Sequence, residues 1–133
     1  MRIARLKRKE RILVDKMDLL IAVGTDEGEY LNNDHVGMAR YYYVYRYSDG
    51  KVEYVEKRIN VEFTGDETMK HGDPEKAKST STVLEGIDVI VGRKFGPNIT
   101  RLLKNFVCVL VVTDTIHKAM ETVLNNMDKL VLE

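Results

Sequence analysis

Three short runs, "LLIAVG" (19–24), "IDVIVG" (87–92) and "FVCVLVV" (106–112), are apolar almost without interruption. A strand with one wet face alternates polar and apolar residues. Short β-branched runs that do not alternate belong to strands buried on both faces, as at the centre of a parallel sheet. Such strands need a covering layer on each side. At 133 residues, 44% of them hydrophobic, the chain is long and apolar enough for one core of this kind.

Between the first two runs the pattern changes. "RYYYVYRYS" (40–48), Asp49-Gly50 and "KVEYVEKRIN" (51–60) predict a hairpin, because Asp-Gly suits a type I′ turn. Its charge-rich second arm suits a sheet edge, where Lys and Glu discourage further pairing. Alternation sends Tyr41, Tyr43, Tyr45 and Tyr47 to one face and Tyr42 to the other, which predicts core tyrosines beneath a helix rather than a stacking platform. Helices follow. "PNITRLLKNF" carries Ile99, Leu102, Leu103 and Phe106 at helical spacing, and "TIHKAMETVLNNMDKL" carries Ile116, Met120, Val123, Leu124 and Met127, with Thr113 or Asp114 as N-cap. "PEKAKSTSTVLEG" gives a weaker helical pattern.

The element order is three strands in a meander followed by two strand–helix units. With a right-handed crossover the fold is α/β, a five-stranded mixed sheet in the order 3-2-1-4-5 with helices on both faces, the ribonuclease H-like arrangement. This topology brings the loop "NNDHVGM" to the carboxyl edge of the central strands, facing "GRKFGPN". Ligands of open α/β sheets tend to bind there. Pro97 fits the first position of a helix, and Arg93 and Lys94 beside the free N–H groups of such a start favour an anion. His35 is then either a metal ligand facing that rim or a residue that hydrogen-bonds within its own loop. His71, in "KHGDPEK", is a candidate second ligand or a solvated loop residue, and His117 is expected at the surface.

Charge excludes some partners. Lys+Arg and Asp+Glu both number 21, so no global field draws the protein to nucleic acid or anionic lipid. Residues 1–18 are locally basic, with seven Lys/Arg against three Asp/Glu. They read as a basic N-terminal extension to a domain at 19–133, dispensable for folding, with Met17 an alternative start. The single Cys108 lies inside an apolar strand, so it neither forms an internal disulfide nor builds an all-thiolate metal site. A cytoplasmic protein without a membrane segment is expected.

Together "IAVGTDEG", "DHVGMARYYYVY", "GIDVIVGRKFGPNITRLL" and "TDTIHKAMETVL" resemble the family of iron–molybdenum cofactor carriers of nitrogenase assembly, the NifX, NafY-core and NifB C-terminal type. The resemblance runs over roughly residues 19–130, in order and without large gaps. It implies binding of an iron–molybdenum cofactor or a related iron–sulfur precursor. It also implies metal-cluster donor or acceptor proteins as partners, with the chain a monomer or a homodimer. The family's His-Phe-Gly signature stands here as His35-Val36-Gly37 and its Gly-Pro-Asn element as Gly96-Pro97-Asn98. The carried-over site is therefore His35 as metal ligand with Gly37, Gly96 and Asn98, beside Arg93 and Lys94. Val36 replaces the usual aromatic, which predicts looser packing under the loop.

Two other functions compete. A nuclease of this fold needs clustered carboxylates around two metals. Asp26 and Asp114 fall at the correct edge but Asp88 at the wrong one, so neither cleavage nor nucleic-acid binding is expected. A regulatory interaction module is the remaining alternative.

Overall fold

The computed structural model describes residues 2–4, 18–60, 83–97, 103 and 105–127. The three apolar runs form strands β2 (Asp18–Thr25), β5 (Val89–Gly92) and β6 (Val107–Leu110), and the hairpin supplies β3 (Tyr41–Ser48) and β4 (Lys51–Ile59). A short strand, β1 (Arg2–Ala4), precedes them. They join in one sheet of order β1-β6-β5-β2-β3-β4. β2, β5 and β6 are mutually parallel, and the β2–β3–β4 meander is antiparallel. Within this sheet the five strands from β2 onward have the expected mixed 3-2-1-4-5 order.

The absence of alternation in the central runs is explained by two cores. Leu19, Ile21, Val23, Val89, Val91, Val107 and Val109 face one side, and Ala22, Ile90 and Cys108 the other. Helix α1 (Ile116–Asn125) covers the first side with Ile116, Ala119, Met120 and Val123. Its N-cap is Thr115, not Thr113 or Asp114: the Thr115 backbone is extended and bridges to Tyr30, and its hydroxyl accepts the Lys118 N–H at 3.2 Å. Capping follows the end of that extended bridge, which local sequence does not reveal. Most of the helices expected at 74–86 and 97–106 lies outside the described residues. Val83, Leu84, Phe95, Leu103 and Phe106 pack on the second core.

Asp49 and Gly50 both have positive φ, 51° and 78°, as a type I′ turn requires. Tyr42 is fully buried in the second core, while Tyr43, Tyr45 and Tyr47 pack half-buried on the first. Opposite them β4 is largely exposed, with a bulge that leaves Val55 unmatched between Val44↔Glu56 and Tyr45↔Tyr54. Charge and bulge together blunt this edge.

The other edge is closed by β1, antiparallel to β6 with Arg2↔Leu110 and Ala4↔Cys108. Part of the expected extension thus contributes backbone pairing. Residues 5–17 lie outside the described residues. A chain beginning at Met17 is expected to keep a cooperative melt, because β1 is a three-residue edge strand, whereas β2, β3, β5, β6 and α1 supply most of the described core side chains. It should also self-associate through the bared β6 edge, which gel filtration at rising concentration measures.

Candidate functional site

Each of β2 and β5 carries a glycine at its carboxyl end, Gly24 next to last in β2 and Gly92 last in β5, and the site is built over that pair. Thr25, fully buried, begins the loop: its hydroxyl donates to Tyr30 O and accepts the Gly28 N–H at 2.9 Å. The chain then folds back over β2, with Asn32 N–H donating to Gly24 O (3.2 Å) and Leu31 N–H to Asp114 O (2.9 Å). Next comes a single 3-10 turn, Val36–Met38, with His35 at its head.

Val36 fills a notch that exists because Gly24 and Gly92 lack side chains. A Cβ on Gly24 would lie 2.9 Å from Val36 Cγ2 and 2.8 Å from Asn32 Oδ1, and a Cβ on Gly92 would lie 2.9 Å from Val36 Cβ. Val36 is 2% exposed. The expected looseness is therefore absent. Packing is tight because the sheet's two glycines, not the side chain at 36 alone, set the width of the space.

His35 lies against the second loop. A Cβ on Gly96 would come within 2.9 Å of His35 Cγ and 3.1 Å of Cε1, with Nδ1 nearer still, so only glycine leaves room for the ring. Two hydrogen bonds tie the loops: Val36 N–H to Lys94 O at 2.9 Å, and the Arg93 guanidinium to Asn33 Oδ1 at 3.1 Å. Asp34 accepts the His35 N–H at 2.7 Å, and the same oxygen is 3.9 Å from Nδ1. The His35 side chain is 33% exposed, enough to reach a bound group without being a loose surface residue.

The site residues expected from sequence divide clearly. His35, Gly37, Arg93, Lys94 and Gly96 come together on adjacent loops. A Cβ on Gly37 would meet nothing within 4 Å, so the turn that follows His35 borders open space there. Asn98 and His71 lie outside the described residues. His117 is at the surface, with Nε2 3.3 Å from Glu121 on the same helix. Asp26 accepts the Arg40 N–H at 3.0 Å, and Asp88, at the opposite end of the sheet, accepts the Leu20 N–H at 3.0 Å. Both carboxylates serve backbone groups of their own surroundings. Among the described residues no three His, Cys, Asp or Glu side chains converge to hold a metal ion.

Sequence reading missed the supports. Asn32 donates through Nδ2 to Asp34 O (3.0 Å) and His35 O (2.9 Å), while its buried Oδ1 has no hydrogen-bond partner. Asn60, just past β4, donates to Gly37 O (3.0 Å) and Ala39 O (2.8 Å), and the Tyr42 hydroxyl donates to Val36 O (3.1 Å). A signal for the notch was present, since "LLIAVG" and "IDVIVG" both end in glycine and adjacent strands align them. No local signal marks Asn60.

Cys108 faces the second core, and burial pushes its thiol up to about 12. A thiol so raised supplies no thiolate ligand at neutral pH. Native protein should resist a disulfide exchange reagent at mildly alkaline pH and react fully in denaturant, which the released chromophore counts.

The sequence profile of the dinitrogenase iron–molybdenum cofactor family matches residues 17–129. No curated protein matches the chain in sequence. Among solved structures, a "putative dinitrogenase" from Methanocaldococcus jannaschii superposes with a TM-score of 0.57 at 15% identity, over 84% of this chain and 92% of that one. At that identity the likeness concerns the fold.

Proposed function

The chain belongs to the dinitrogenase iron–molybdenum cofactor family, and from that premise we propose that it is a non-catalytic carrier of the iron–molybdenum cofactor or a related iron–sulfur precursor. On this reading it is a NifX-like protein with a ribonuclease H-like fold and helices on both faces. It is cytoplasmic and exchanges cargo with cluster donor and acceptor proteins. Residues 1–18 are an extension to the carrier domain at 19–133.

One observation carries the proposal: the His35 imidazole is seated on Gly96, beside the loop bearing Arg93 and Lys94. His35 is the metal ligand, and Gly37, Gly96 and Asn98 line the cargo. Arg93 and Lys94 supply positive charge toward an anionic cluster, and His71 is a second ligand. A single held imidazole suits a preformed cluster better than a lone ion. The cluster brings its own bridging sulfides, needs few protein ligands, and must later be released. The rim then acts at longer range and should weaken with salt.

Anaerobic titration with the isolated iron–molybdenum cofactor, followed by gel filtration and metal counting on the protein peak, tests this. Iron and molybdenum should co-elute stoichiometrically with the chain; elution of metal-free protein at all ratios would overturn it. The nuclease alternative has less support, because Asp26 and Asp114 hold loop and helix groups of their own. No Mg²⁺- or Mn²⁺-dependent cleavage of RNA, DNA or their hybrid is expected in a gel assay.

A further inference from the structure

We propose that Asn60, at the end of the edge hairpin, is a positioning residue for His35 and fixes the geometry of the cargo site; the inference rests on the carrier reading for its consequence, but not for its structural part. Asn60 is 1% exposed and lies 25 residues along the chain from the histidine. Its backbone N–H donates to Arg40 O at 2.9 Å. Its amide donates to Gly37 O and Ala39 O, and it lies 3.4 Å from the Tyr42 hydroxyl, which itself donates to Val36 O. Four carbonyls in the five-residue span 36–40 are thus engaged from the end of β4 and from β3.

The arrangement is more than ordinary satisfaction of buried groups. The turn makes two internal bonds, Met38 N–H to His35 O (2.8 Å) and Ala39 N–H to Val36 O (3.3 Å), and 3-10 geometry of this length is weak without external support. From its place just past β4, the Asn60 amide reaches two carbonyls of this segment at once, Gly37 O and Ala39 O. The opposite side of the turn is held by Lys94 O and the glycine notch. His35 stands at the head of a segment gripped from both sides. Removing one grip releases the turn toward the other and moves the imidazole off Gly96.

The test begins without metal. Backbone amide exchange at Met38 and Ala39 and the ring proton resonances of His35 report on the turn. A synthetic thiolate-ligated [4Fe–4S] cluster, supplied anaerobically, is the binding probe. Asn60→Ala is expected to speed exchange at both amides about 10-fold or more and shift the His35 ring resonances. It should weaken probe binding by about 10-fold, as for groups that orient a ligating histidine. Val123→Ala, which trims α1 on the other face, controls for lost stability. It should lower the melting temperature and change none of the three readouts. Wild-type exchange and ring resonances in Asn60→Ala, or equal changes in Val123→Ala, would overturn the proposal. If wild-type protein does not bind the probe, the carrier reading loses support while the metal-free readouts still decide the role of Asn60. If Asn60→Ala does not fold, Tyr42→Phe removes the hydroxyl that bonds Val36 O and accepts from the Asn60 amide, and leaves the Asn60 bonds to Gly37 O and Ala39 O in place. It must show faster exchange at Ala39, and an unchanged rate there would overturn the proposal equally.

Discussion

His35→Ala is expected to weaken binding of the iron–molybdenum cofactor by about 100-fold or more, since groups that merely orient a metal-bound histidine are already worth about 10–100-fold. Its effect on stability should be small. The side chain is one-third exposed and makes no side-chain cap to the turn it heads, so the cost is about 1 kcal/mol or less and the melting temperature falls by no more than about 5 °C. The two readouts separate the alternatives left by the sequence. Unchanged binding with a large melting drop would make His35 a residue that holds its own loop. Gly96→Ala sharpens the comparison. A Cβ there would strike the ring, and a histidine can swing aside at little cost in stability. Binding should fall without the imidazole being removed, as measured by the same anaerobic titration.

Gly24→Ala should have the largest effect on stability. The new methyl would meet Asn32 Oδ1 at 2.8 Å, Val36 Cγ2 at 2.9 Å and Ala39 Cβ at 3.1 Å. None of these is the free end of a flexible side chain. Asn32 is fixed by two hydrogen bonds through its Nδ2, and Val36 and Ala39 are buried. Overpacking of this kind costs about 1–3 kcal/mol, or about 4–12 °C in melting temperature for a domain of this size. The whole loop 32–39 must rise to admit the methyl, so cargo binding should fall with stability. Differential scanning calorimetry and titration on one sample would measure both; a melt within about 1 °C of wild type would mean that the notch is wider than described.

The sheet was largely legible because its signals are local. Unbroken apolar runs mark β2, β5 and β6, and Asp49-Gly50 marks the turn between β3 and β4. The strand order then follows from connection handedness. β1 was not legible: Arg2–Ala4 is only three residues long, and it becomes a strand because the edge of β6 offers backbone partners. His35 and its facing loop were legible through topology, which brings both to one edge. Asn32 and Asn60 were not. A polar residue at a strand end is commonplace in sequence, and its importance here comes from carbonyls that register and loop path place within its reach. Val36 illustrates the same limit from the other side, since its fit depends on two glycines that lie in different strands.

The pairing of β2 with β5 has a consequence for when the site exists. The meander β2–β3–β4 closes through short connections, whereas the contact of Leu20 with Asp88 spans 68 residues and that of Asn33 with Arg93 spans 60. Short-range pairing forms early and long-range parallel pairing late, because a long loop must be closed before its contacts repay the entropy. The His35 loop belongs to the early half of the molecule, and Arg93, Lys94 and Gly96 belong to the late half. A growing or half-folded chain therefore presents the histidine without its shelf or its positive neighbours. On the carrier reading, cargo would meet a complete seat only on a finished molecule, and the last docking event of folding would double as a licence to load.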